Sequence, residues 1–457
     1  MIEKGDCEST FEVILSQYAE KTFLKLWSFP SPRQENRKEA CDLIALFEDH
    51  IFVFFDKGQD EEMENDAKEV NWGRFYRNKI VKQIKTCLGV EKYIRAGKPL
   101  YLDKRATKPI PYLYDYKTVK IHKILIVHGT EIACRLYSHE NIHGSLGMVY
   151  ADKKELEQNP KFNTKHPHPF LVYLDKADLI HIFDDSNYKI LLNEFDTYHE
   201  FKNYLVEKEK AITNYEMMYY PGEEELLATY IQNNYTLYDK NYESFLLEEG
   251  RWDSLKSNEL YINRKKVNKI SYFWDALINQ VATNVLNDEV DDIKNYMENT
   301  AIYQMAKEPR YYRRKLSSMI YQSICSFPKT NKALFRKLLV LPSFYKDVLY
   351  VILLIDIDPK QMETSDDETE EMKYRILEIM CGNVKIKYPE IDKVVGIRMS
   401  PPNFYQNCII DFLMMSNASW DEGMKEYYLE GKERLKDDSM INGEFDVRDF
   451  PDIERKY

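Results

Sequence analysis

The sequence predicts an α/β N-terminal region followed by a helical and α+β region, and three observations carry this. Three strand-sized, aromatic-rich runs crowd into Thr22–Phe29, Cys41–Phe47 and His50–Asp56. Past Tyr220-Pro221-Gly222 the apolar spacing changes from strand length to helix length. Near the C-terminus, two strands, a helix and two more strands follow in order, which suggests a small α+β layer. The expected domains are therefore 1–220 and 221–440, with a flexible tail over 441–457.

At 457 residues the chain exceeds one typical domain. Hydrophobic residues make up 44% and charged residues 31%, enough apolar material for more than one core. A net charge of −12 argues against binding to nucleic acid through the overall field, but leaves room for a local basic face. The seven cysteines form no CxxC pair, so free thiols in a reducing cytoplasm are expected. No apolar run reaches the length of a membrane span, and the first residues lack the apolar core of a signal peptide. The expectation is a cytoplasmic protein without a membrane partner.

In chain order, Thr10 is placed to cap a helix Phe11–Glu20, whose Phe11, Ile14, Leu15 and Tyr18 form one stripe. Glu20 lies at the end of that helix where the dipole disfavours an anion, which hints at another partner. The runs Cys41–Phe47 and His50–Asp56 are apolar on both faces, as strands in a covered sheet are, with a turn at Glu48-Asp49. Asp42 opens the first run; Asp56 and Lys57 close the second.

The acidic stretch Gly58–Val70 reads as a loop. A helix Asn71–Leu88 follows, with Gly89 as its cap. Arg74, Arg77, Lys79, Lys82 and Lys85 fall on it, interleaved with aromatics such as Tyr76. Such a face suits a phosphate backbone, and it equally suits the solvated side of an amphipathic helix. Val119–Gly129 is a strand. Phe170–Asp184 reads as a strand or hairpin, Tyr188–Leu192 as a strand, and Tyr198–Ala211 as a helix capped by Asp196 or Thr197. The segment HGSLGMVY carries no nucleotide fingerprint, and His166 and His168 lack further ligands at metal-binding spacing.

Beyond Gly222, helices are expected over Glu223–Gln232, Phe273–Leu286 and Thr300–Ser326. Leu338–Leu341, Val348–Ile357, the helix Met372–Lys387, Val394–Met399 and Ile409–Met415 then make the β-β-α-β-β order.

The succession of helix, strand, strand with an acid, strand ending in acid and lysine, basic helix and strand resembles the core of the PD-(D/E)XK nuclease superfamily over roughly residues 10–130. The resemblance implies a restriction-endonuclease-like mixed sheet flanked by helices. It implies cleavage of nucleic acid, DNA above RNA, with Mg2+ or Mn2+, as in bacterial defence effectors. On it, Asp42 matches the first acid, Lys57 the lysine and Glu20 the helix acid, with Asp56 as the second acid. The implied metal ligands are Asp42, Asp56 and Glu20. The pattern departs in one place: the position two before the lysine is Phe55, and the acid is Asp56, adjacent to Lys57. Adjacent strand residues point to opposite faces unless the strand ends or bulges there.

The chemistry is consistent with the residue types, since magnesium needs only one or two carboxylates and a lysine can stabilise the developing anion. His50, His122 and His128 fall in strands of the same sheet, where one could serve as a general base and where hydrogen-bonded strand histidines are common. The alternative expectation is a non-catalytic interaction protein on a degenerate nuclease-like scaffold. A homo-oligomer or a protein partner is compatible with either.

Overall fold

The computed structural model describes residues 10–57, 69–110, 115–138, 143–158, 167–287, 297–298, 300–328, 332–401, 410–416, 420–435, 440–441 and 447–451. Most of the predicted acidic loop, together with His166, Cys7 and Cys408, lies outside them. The chain forms two compact units: Met1–Ile262 with Ala282–Met297, and Asn263–Val281 with Glu298–Tyr457. The boundary expected at Tyr220–Gly222 is instead a strand-to-helix turn inside the first unit.

The first unit contains two sheets. Helix α1 (Thr10–Phe23) precedes β1 (Ser28–Pro30), β2 (Leu43–Phe47) and β3 (His50–Lys57). A continuous helical segment follows: α2 (Glu69–Phe75), a π-helical turn Tyr76–Val81, and α3 (Lys82–Arg95). Then come β4 (Lys120–Val127), α4 (Glu131–Tyr137), β5 (Gly147–Ala151), α5 (Lys153–Gln158), β6 (Leu171–Asp175) and β7 (Ile180–Asp184). The unit continues with α6 (Asn187–Glu194), α7 (Tyr198–Asn214), β8 (Met217–Tyr220), α8 (Glu223–Gln232), β9 (Ser244–Leu246) and α9 (Arg251–Lys256).

The larger sheet has the order β1-β2-β3-β4-β7. β1, β2 and β3 run antiparallel as a meander, whereas β3, β4 and β7 are parallel. Every residue of β2 is buried, as is β4 after Lys120, so this is the doubly covered sheet that the continuous apolar runs predict. The smaller sheet has the order β6-β5-β8-β9.

Several local expectations are corrected. The predicted strand Thr22–Phe29 is mostly not strand: α1 runs through Phe23, and only Ser28–Pro30 pairs. Thr10 is the first helical residue rather than a flanking cap. Gly89 does not end the basic helix; it sits in the middle of α3, exposed, and the helix runs on to Arg95. Phe170–Asp184 is no hairpin, since β6 and β7 belong to different sheets. Tyr188–Leu192 is helical because the Asp184 carboxylate accepts the Ser186 and Asn187 N–H groups (3.2 and 3.1 Å) and starts a turn there. The Thr197 cap stands: its Oγ1 accepts from Glu200 N at 3.4 Å.

In the second unit, α10 (Glu259–Val267) and α11 (Tyr272–Asn287) each carry a passage of the chain between units. α12 (Ala301–Lys307) and α13 (Arg310–Cys325) replace the single predicted helix Thr300–Ser326, broken at Glu308-Pro309. β10 (Leu334–Pro342), β11 (Val348–Ile357), α14 (Pro359–Met362), α15 (Asp366–Lys387), β12 (Lys393–Met399), β13 (Ile410–Met415), α16 (Glu422–Leu435) and β14 (Met440–Ile441) complete it. The sheet order is β13-β12-β11-β10-β14, and the predicted β-β-α-β-β order is present. Leu377, Met380, Cys381 and Val384 of α15 close its core against Val351, Leu353 and Val394. The predicted flexible tail is tied down where it is described: Asp449 pairs with Arg264 at 2.9 Å, and Phe450 lies 5.3 Å below the same guanidinium.

Candidate functional site

The carboxyl ends of β3, β4 and β7 lie side by side, and each delivers a charged residue. Asp56 is the penultimate residue of β3, His128 follows β4, and Asp184-Asp185 ends β7. In open sheets with parallel strands this is the edge where ligands bind.

His128 is the centre of the group. Its Nε2 lies 2.6 Å from Asp56 Oδ1 and its Nδ1 2.5 Å from Asp185 Oδ1. Burial alone would discharge the ring, but the hydrogen bonds to Asp185 and Asp56 win and raise its pKa to about 9. His128 is therefore an imidazolium clamped between two carboxylates. The ring of Phe11 covers it at 4.4 Å and that of Tyr188 at 5.9 Å. Gly129, at φ +83°, lets the chain turn back so that its N–H reaches Asp185 Oδ2 at 2.7 Å.

Asp42 and Asp56 do come together, though not as two ligands side by side. Asp42 Oδ2 accepts the Asp56 backbone N–H at 2.7 Å. Its structural effect is to fix the backbone from which Asp56 projects. Asp56 itself is buried, and its second oxygen, Oδ2, has no hydrogen-bond partner among the described residues. The Tyr188 hydroxyl is likewise buried without a partner; burial, then the charge of Asp56, raises its pKa. An unpartnered carboxylate oxygen in a protein interior is costly and is the mark of a place meant for a ligand, water or ion.

A second acidic pair lies next to this one. Asp184 accepts from Leu146 N (2.8 Å) and Asn187 Nδ2 (2.7 Å), and Ser145 Oγ donates to Glu224 Oε1 at 2.7 Å. Burial raises both acids above the ordinary carboxylate range, and the Asp184 charge adds to the effect on Glu224. Among the described residues, Glu224 Oε2 has no partner. Gly222 makes this possible, because a Cβ there would fall 2.5 Å from Glu224 Oε1.

The remaining sequence-predicted residues are placed elsewhere. Glu20 is half-buried near the end of α1. Since Phe11 is the α1 residue on His128, Glu20 lies about 13 Å further along the helix axis. It is not brought to the cluster. Lys57 closes β3 beside Asp56, opposite Val127; its side chain is not among those described. Arg74, Arg77, Lys82 and Lys85 are exposed and Lys79 half-exposed, spread over α2, the π turn and α3. Among the described residues none of the five pairs with an acid. Tyr76 is buried beneath them, its hydroxyl donating to Tyr173 O at 3.1 Å. His50 and His122 lie at the opposite end of the sheet from His128, with six residues of β4, roughly 20 Å, between His122 and His128.

Sequence reasoning missed Asp184, Asp185 and Glu224. Two of them had a signal, the paired acid ending the run His181-Ile182-Phe183, which repeats the pattern of Asp56 ending β3. Glu224 had none, since an acid in the first turn of a helix is ordinary. No helix among the described residues is long and apolar enough to cross a membrane. Comparison with protein-family models, with curated proteins and with solved structures returns no match to this chain.

Proposed function

We propose that the first unit is a metal-dependent phosphodiester hydrolase resembling the PD-(D/E)XK nucleases, with its centre at the carboxyl ends of β3, β4 and β7. The observation that carries the reading is the buried Oδ2 of Asp56, unpartnered among the described residues and held near the end of the hairpin strand, one residue from the position where the resemblance puts a metal-binding acid. The strand order supports it as well: a helix, an antiparallel meander β1-β2-β3, a helix, and β4 returning parallel to β3.

Asp56 fits a Mg2+ or Mn2+ ion, which keeps several waters and needs one or two protein carboxylates. Bound there, the ion supplies an activated water and neutralises charge on the phosphate. The chain's own residues do the rest. His128 occupies Oδ1 of Asp56 and so leaves Oδ2 as the available oxygen. Asp42 is reassigned from ligand to positioning residue, since its carboxylate holds the Asp56 amide. Lys57 is the cation for the developing anion. Arg74, Arg77, Lys82 and Lys85, exposed and without an acid partner among the described residues, are the surface for a nucleic-acid backbone, DNA being the substrate the resemblance favours.

One observation favours the scaffold reading instead. Asp42 and Asp56 each have a partner within the protein, and Phe55 stands where the second acid belongs. Purified protein incubated with duplex DNA, single-stranded DNA and RNA, with Mg2+, Mn2+ or EDTA, separates the two. Cleavage that needs the metal and disappears in Asp56→Asn and Lys57→Ala supports the hydrolase. No cleavage, together with no Asp56-dependent binding of Mn2+ by calorimetry, replaces it with the scaffold.

A further inference from the structure

We propose a second metal site, for a transition metal of the zinc type, formed by His122, His181 and Glu209 at the end of the sheet away from Asp56. His122 is on β4, His181 on the adjacent β7, and Glu209 on α7, which lies over them. One donor atom from each falls within 4.8 Å of the others. Glu209 Oε1 lies 2.8 Å from His122 Nδ1 and 3.0 Å from His181 Nε2.

The donor set suits such an ion. Two imidazoles and a carboxylate are borderline ligands that favour zinc-like cations over magnesium or calcium. Tetrahedral bonds of about 2.0–2.1 Å put neighbouring donors a little over 3 Å apart, so small side-chain shifts would seat the ion. Both histidines are fully buried, and Glu209 is the partly exposed member, which gives an ion its way in.

The surroundings also behave as an outer shell. His122 Nε2 meets His50 Nδ1 at 2.7 Å, with the two rings nearly coplanar (4°), and Phe52 packs flat against the same ring. Metal-binding histidines ordinarily have their second nitrogen held this way. Held by these three residues, an ion would tie α7 to the two strands beneath it.

The test is titration of full-length, EDTA-stripped protein with Co2+ and Zn2+. One Co2+ per chain with intense visible bands of tetrahedral type, displaced by Zn2+, is expected. Glu209→Gln weakens binding by at least ~100-fold, and His50→Phe, which removes only the outer partner, by about 10- to 100-fold. Asp56→Asn leaves it unchanged, which keeps this site distinct from the hydrolase centre. His181→Gln serves if Glu209→Gln does not fold. Absence of Co2+ and Zn2+ binding by the wild type overturns the proposal, as does binding that survives both Glu209→Gln and His181→Gln.

Discussion

Both units bury charge, and one cluster in each treats it in opposite ways. In the second unit, Asp275 gives one oxygen to Arg310 (2.6 Å) and the other to Arg313 (2.7 Å). Glu308 is similarly enclosed, with Ser343 Oγ and Tyr350 OH on Oε1 and Phe344 N on Oε2. In the first unit, Asp56 and Glu224 each keep one oxygen without a partner. The parallel strands also end differently. β3, β4 and β7 bring Asp56, His128 and Asp184 to their carboxyl ends, whereas β11 is followed by Asp358, which caps α14 through Lys360 N at 3.0 Å. A closed cluster fixes a fold. The open one, at the carboxyl edge of a sheet, is where the hydrolase proposal puts its ligand.

This difference is breakable by measurement. The largest effect is expected from Asp56→Asn, which lowers metal-dependent cleavage by roughly 100- to 10,000-fold. Its urea midpoint should move far less, since an isosteric amide keeps the packing. A large loss of stability with unchanged cleavage would make the open cluster structural after all.

Asp275→Ala is the converse case. It strands two buried guanidinium groups and should cost about 3–5 kcal/mol in denaturant unfolding. A cost under about 1 kcal/mol would show that water reaches these groups and that the second cluster is not closed.

The pH dependence of stability sharpens the comparison. His128 has a folded pKa raised from 6.5 to about 9, so its contribution is complete below pH 6.5 and is lost as pH rises through about 9. Glu308 is raised by burial from 4.5 to about 7, so the folded state holds a proton the unfolded chain releases, and stability falls as pH rises from 4.5 to about 7. Each contribution is at most about 3 kcal/mol. Stability curves of His128→Gln and Glu308→Gln, subtracted from wild type, should change over windows whose midpoints lie about two pH units apart, the Glu308 window at the lower pH. Coincident windows would deny the assigned charge states.

The smallest effect is at the surface. Replacing Arg77 and Lys85 with glutamine should reduce the salt dependence of DNA binding by a slope of about 2 and leave folding unchanged. An unaltered slope would remove α2 and α3 from the interface.

Chain-local physics was legible in the sequence. Apolar runs marked β2 and β3 as covered strands and β4 and β11 as strands, and the succession β-β-α-β-β was readable because each element carries its own periodicity. Thr197 as a cap was readable for the same reason, since its bond reaches only three residues on. Where a run was compatible with two periods, neighbours decided. Tyr188, Leu191 and Leu192 suit a buried helix face as well as a strand, and the Asp184 side chain settles the choice.

The sites lie almost wholly on the tertiary side. Asp42 and Asp56 could be picked out because each flanks a hairpin strand, but their relation to His128, Asp185 and the Asp184–Glu224 pair depends on the parallel pairing of β3, β4 and β7. The same holds for His122, His181 and Glu209, which are 59 and 28 residues apart in the chain and share one carboxylate oxygen in space. A sequence fixes what each segment buries. Only the pairing of distant strands decides which polar ends meet, because that meeting depends on register and strand order, and neither has a local signal.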